Sequence, residues 1–236
     1  MVSDTNKEPR NGVLLFGATR GTGLELARLL AARGEAATAL VRPGSDSREL
    51  QALGVTIIEG DAFEPGDVER AFSSGHFRAA VSSIGGSRAE PRRPDVETTR
   101  NIIEAAKRHG PRRVLLVTMI GAGDSASVLS EHARKFLGPV AELKTQAEEL
   151  LMTSGLEATV LRPGGMSSEP ATGTAIMTED HTVMGTIHRA DLAALILRCL
   201  DDTTTIGRIY HTIDPEIKEA PPLQRGVTPQ AGERKP

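Results

Sequence analysis

The amino-acid sequence predicts an α/β fold, a doubly wound parallel sheet in a single domain. Three observations carry that prediction. Four consecutive apolar residues, Val13 to Phe16, run through a glycine-rich turn into an apolar series at helical spacing, the pattern of a strand buried on both faces followed by a helix packed on the sheet. Short apolar runs then alternate with helix-spaced segments along the chain, which requires parallel strands joined by right-handed crossovers. The length of 236 residues, with 39% hydrophobic and 25% charged side chains, suits one such domain with a sizeable core.

In chain order, the first strand covers Val13–Phe16, and the first helix carries Leu24, Ala27, Leu29, Leu30 and Ala31 before Gly34 closes it. A second strand is expected over Ala37–Val41, a short helix over Ser47–Leu53 and a third strand over Val55–Glu59. Pro65, at a first helical turn, opens a helix to Phe72, and Ala79–Ser83 is a fourth strand. Asp95–His109 forms a long helix stopped by Gly110-Pro111, followed by a fifth strand, Val114–Thr118. Gly138-Pro139 reads as a helix start, giving Pro139–Thr153, and leaves Ser125–Gly138 as an insert, a loop or short helix that folds over the pocket. Ala158–Leu161 is a sixth strand, Asp191–Leu200 a helix and Arg208–Thr212 a last strand. Residues 167–187 are expected to form a small lid, with Thr182–Ile187 returning as a strand. The domain spans 12–219; residues 1–11 read as a loose polar lead-in, and 220–236, with four prolines and two glycines, as a mobile tail.

Composition narrows the function. A formal net charge of −3 gives no electrostatic case for nucleic acid or an anionic membrane. Aromatics at 3%, with no Trp and one Tyr, leave little for base-stacking platforms. Cys199 is the only cysteine, so an intrachain disulfide and a multi-cysteine zinc site are excluded, and a cytoplasmic location is the simplest expectation. No apolar run approaches a membrane span, no histidine spacing suits a metal, and no G-x-S-x-G elbow marks a hydrolase.

The first turn reads Gly17-Ala18-Thr19-Arg20-Gly21-Thr22-Gly23. A strand leading through such a turn into a helix aims backbone N–H groups and the positive helix end at one point, which suits a pyrophosphate, and glycine permits the tight turn and the close approach. In a doubly wound sheet the ligand lies at the carboxyl ends of the strands. Strand two ends in Val41-Arg42-Pro43-Gly44-Ser45 with no carboxylate, and Arg42 and Arg20 can pair with a 2′-phosphate, favouring NADP, as NADPH, over NAD. The plainer reading makes Arg42 a solvated surface residue. Asp61 of Gly60-Asp61-Ala62 either accepts from an adenine amino group or caps a helix. Ser82 to Gly86, including Ser83 and Gly85, places small residues where a ribose and nicotinamide need close backbone approach.

These segments, with Asp95 to Asn101 and Leu161-Arg162-Pro163-Gly164-Gly165, resemble a short-chain dehydrogenase/reductase, and more narrowly its atypical single-domain, NAD(P)-binding, NmrA-like branch. The match runs from about Gly12 to Asp214. The resemblance implies a Rossmann fold, a hydroxyl at the end of strand five, and a Tyr followed four residues later by a Lys. Thr118 matches the hydroxyl and Lys144 the lysine, but Val140 stands where the Tyr belongs. Physically, a phenol acts near neutrality only if an adjacent ammonium lowers its pKa, so the usual acid is missing. Lys144 then either holds the nicotinamide ribose or is an exposed helix lysine. Pro163 and Gly164 match the segment whose backbone meets the nicotinamide carboxamide. His132 has a suitable pKa for a replacement acid, against the plainer reading of a surface histidine.

Three functions follow. One is an NADP-dependent reductase of a small apolar or conjugated substrate, with Lys144 and Thr118 as auxiliaries and solvent protonating the product. The others are a non-catalytic NADP-sensing protein and a non-redox enzyme on the same scaffold. The resemblance also allows a homodimer, for which the residues give no separate warrant.

Overall fold

A computed structural model describes residues 12–86 and 92–218; the expected lead-in, tail and residue 219 lie outside them. The elements are β1 (Gly12–Phe16), α1 (Gly21–Ala32), β2 (Ala36–Val41), α2 (Arg48–Ala52), β3 (Thr56–Glu59), α3 (Pro65–Ser73), β4 (Phe77–Ser82), α4 (Asp95–His109), β5 (Arg113–Val117), α5 (Glu131–Met152), β6 (Glu157–Pro163), β7 (Gly165–Ser167), β8 (Ile176–Thr178), β9 (Thr186–His188), α6 (Arg189–Asp201) and β10 (Arg208–Ile213). They form the expected α/β sheet, in the order β3-β2-β1-β4-β5-β6-β10-β8, parallel except for β8 against β10. A small second sheet pairs β7 with β9.

Strand alternation splits the core into two layers. Val13 and Leu15 of β1 face one way with Leu26, Leu30 and Ile196, whereas Leu14 and Phe16 face the other with Phe72, Ile102 and Leu151. The same alternation in β5 sends Leu115 and Val117 to the α1–α6 side and Val114 and Leu116 to the α3–α4–α5 side. Helices on both faces and a strand order that reverses from β1 to β4 create a crevice at the carboxyl ends of those two strands.

One expected element is corrected. No helix starts at Gly138-Pro139; α5 begins seven residues earlier, at Glu131, and carries Pro139 inside it. Ser130 supplies the start signal, its hydroxyl accepting from the Ala133 N–H at 3.2 Å. Later in the helix Ala141, Ala147 and Leu151 are buried, and their packing holds the helix through the proline. The expected strand over Thr182–Ile187 is shorter, Thr186–His188.

Candidate functional site

A cleft of about 790 Å³ lies at the crevice, lined by the glycine turn, the ends of β2, β3 and β4, and Met166, Ser168 and Arg189 from beyond β6. Gly17 has φ +82°, and a Cβ built on it would stand 2.9 Å from the Ile84 nitrogen. On Gly23 it would stand 2.4 Å from the Gly17 carbonyl oxygen, so only glycine lets the turn close on α1. Thr19, Gly21 and Thr22 line the cleft beside them. Arg20 occupies the N-cap in extended backbone with no side-chain cap, and the first turn of α1 holds no acid. The N–H groups and positive end of α1 are thus left for a ligand.

Four guanidiniums line this cleft; Arg92 pairs with Glu97, whereas Arg20, Arg42 and Arg189 form no ion pair with a carboxylate among the described residues. Arg189, the first residue of α6, packs against Gly21 and donates to Ser168 Oγ at 3.0 Å. Burial, and then the charge of Arg20, lower its pKa, a strain that an anion between them would relieve. Sequence reasoning missed Arg189 because it reaches the turn only through the fold. At the far end, Asp61 Oδ1 accepts from the Phe63 N–H at 3.0 Å, while Glu64 takes the N-cap of α3. Asp61 is therefore a turn residue and not the cap. Ala62 and Phe63 line the cleft beside it, their carbonyls held by Asn101 at 2.9 and 3.1 Å, and Arg92 covers the Phe63 ring at 4.1 Å. Ser83 Oγ donates towards the Phe16 and Gly17 carbonyls at 3.3 and 3.2 Å. Gly85 lines the cleft with open space where a Cβ would stand.

The expected catalytic residues lie elsewhere. Lys144 is buried under the cleft floor, not exposed: its ammonium pairs with Asp95 at 2.8 Å and donates to the carbonyls of Ile84 at 3.1 Å and Val117 at 3.3 Å. Asp95 Oδ1 has no hydrogen-bond partner among the described residues, so its contact with the ammonium is an ion pair beside two hydrogen bonds to carbonyls. Thr118 falls just past β5 and donates its hydroxyl to buried Glu148 at 2.5 Å, and Glu148 in turn pairs with Arg162 at 2.7 Å. Pro163 ends β6, and Gly164 passes so close to Gly185 that a Cβ would stand 2.0 Å from its carbonyl oxygen. None of these four is among the residues lining the cleft. His132 is exposed on the first turn of α5 with its ring against Phe136; of the insert expected over the pocket, residues 131–138 are part of α5, and Ser125 and Leu129 before them are buried. Cys199 is buried, and burial pushes its thiol up to about 11, which keeps it unreactive. Among the described residues no cluster of His, Cys, Asp and Glu has a metal-holding arrangement, and no helix is long and apolar enough to cross a membrane.

Comparison with known proteins agrees with this geometry. A family model described as NAD(P)H-binding matches residues 17–203. The structure of ChuY, an anaerobilin reductase from Escherichia coli O157:H7, superimposes with a TM-score of 0.80 at 32% identity, covering 89% of this chain and all of that one. A Bacillus subtilis protein named as an uncharacterized sugar epimerase, YhfK, is 27% identical over 217 residues, 90% of this chain and 99% of the relative. A short-chain dehydrogenase/reductase from Veillonella parvula, solved with NADP, shares the fold at 18% identity, with a TM-score of 0.73 over 90% of this chain and 98% of that one. With its glycine turn, its strand order and these matches, the chain belongs to the NAD(P)H-binding family and is an atypical short-chain dehydrogenase/reductase-like protein.

Proposed function

We propose that this protein is an NADPH-dependent reductase of a small apolar or conjugated substrate. The observation that carries the reading is the trio of guanidiniums without carboxylate partners around an uncapped helix N-terminus, with no acid at the end of β2. Gly17, Gly21, Gly23, Thr19 and Thr22 would hold the pyrophosphate, assisted by Arg189. Arg20, Arg42 and Ser45 would hold the 2′-phosphate, Asp61 and Ala62 the adenine, and Ser83 and Gly85 the ribose. A bound reduced nicotinamide supplies the hydride. Ile84, Val117 and Met166 are apolar residues of the lining and would keep water from the nicotinamide.

Among the described residues the same lining contains no His, Lys, Tyr or Cys, and Asp61 is its one carboxylate. Solvent is then the proton source, which suits a conjugated acceptor whose reduced form protonates readily. The likeness to ChuY, named as a reductase and 32% identical, supports the reductase class. Epimerisation would need a side chain to take up and return a proton, and the lining offers none beside those apolar residues. The lack of an acid also favours a second reading, a nucleotide sensor without turnover. Binding separates the cofactor question from both: NADPH should bind tighter than NADH, and Arg42→Ala should weaken NADPH about 10- to 100-fold, the worth of a charge-assisted hydrogen bond, while leaving NADH unchanged. Equal affinities in the unaltered protein would overturn the NADPH assignment.

A further inference from the structure

The segment between β7 and α6 is tied to the domain at two places. At the first, the Thr172 and Gly173 N–H groups donate to buried Asp191 at 2.9 Å each, and the Thr174 hydroxyl donates to buried Asp214 at 2.8 Å. The second is His181. Its Nδ1 lies 2.7 Å from Asp124 Oδ2 and its Nε2 lies 3.0 Å from the Ile209 carbonyl oxygen. Both partners are acceptors. The carbonyl can be nothing else, and Asp124 also accepts from Arg162 at 2.6 Å. Burial raises the Asp124 pKa, but the hydrogen bonds from Arg162 and His181 outweigh it and hold the carboxyl at about 2. A neutral imidazole carries one N–H, so a ring that satisfies both acceptors is the imidazolium.

The surroundings keep that charge single. His211 of β10 stacks on His181 with ring centroids 4.9 Å apart and planes 18° apart. Its Nδ1 donates to the Val183 carbonyl at 2.9 Å, its Nε2 has no partner among the described residues, and burial lowers its pKa. His211 is thus neutral and grips the segment next to His181. The charges facing the pair are Asp124 after β5, Arg162 on β6 behind Asp124, and exposed Asp180 on the segment itself, which accepts from Thr182.

We propose that His181 is a proton-operated clasp that fastens residues 179–185 to the turn that follows β5 and to the start of β10 when it is protonated and releases them when it is not. Loss of one proton leaves a ring nitrogen's lone pair facing Asp124 or the Ile209 carbonyl, and the contact turns from attraction to repulsion. The sign is fixed by this geometry: protonation closes, deprotonation opens, and closure fails again only when Asp124 itself takes a proton at about 2.

The test is amide hydrogen exchange on the full chain without cofactor from about pH 5 to 8.5, divided by intrinsic rates, alongside ring ¹⁵N shifts that report the His181 protonation state. Protection of the 179–185 peptide should fall about tenfold or more in step with His181 deprotonation, while the β1 peptide stays protected throughout. His181→Gln should abolish the pH dependence, and Asp124→Asn should move it to lower pH. Protection that ignores pH, or that persists in His181→Gln with β1 intact, would overturn the clasp, as would a singly protonated His181 ring in the protected segment. Because no cofactor is present, failure of the reductase reading leaves this result standing.

Discussion

A methyl group at Gly23 would stand 2.4 Å from the Gly17 carbonyl and 2.7 Å from Ser83 Oγ, whereas one at Gly85 would meet nothing within 4 Å. The two glycines therefore answer different demands, packing at the first and ligand approach at the second. Gly23→Ala should destabilise the fold by about 1–3 kcal/mol, the usual cost of overpacking. Gly85→Ala should leave stability within about 0.5 kcal/mol and still weaken NADPH binding. Thermal unfolding with and without NADPH checks both; equal stability loss in the two variants would contradict the distinction. The glycine turn was legible because its need is local. The surroundings of Lys144 were not, because Asp95, Ile84 and Val117 reach it from α4, the end of β4 and β5. Lysine at that position was readable; that its ammonium is held by a carboxylate and two carbonyls was a property of three distant segments.

Among elements, α5 departs most from expectation. Proline is a strong start signal, yet Ser130 caps the helix earlier and the buried turns beyond Pro139 dominate. The residue is exposed and removes one helical hydrogen bond, so Pro139→Ala should stabilise the protein by about 1–3 kcal/mol in denaturant titration. A loss of stability would mean that the ring packs better than its exposure indicates. The parallel strands were legible to within two residues because their apolar runs are continuous. The three-residue strands β7 and β8 were not, since so short a run has no period, and their places come from pairing with β9 and β10. Thr118 follows the same logic: one residue past β5, its hydroxyl turns to Glu148, a residue of α5 that only the fold brings near.

For the whole molecule, the alternation of strands and helices was enough to give a doubly wound sheet with its ligand at the carboxyl ends of the strands, whereas the strand order, and with it the crevice at the β1/β4 switch, comes from the structure. What that crevice lacks is as informative as what it holds. Cations gather where phosphates would lie, yet among the described residues no histidine, lysine, tyrosine or cysteine lines it, which is the ground for proposing hydride transfer to a conjugated acceptor. The most direct test is single-turnover oxidation of bound NADPH, followed at the reduced-nicotinamide absorbance, against a panel of quinones, flavins and enones. Oxidation by one conjugated acceptor class is expected, at a rate that His132→Ala leaves unchanged. Tight NADPH binding with no oxidation by any of them would contradict the reductase assignment, and a rate that collapses with His132→Ala would contradict solvent as its proton source.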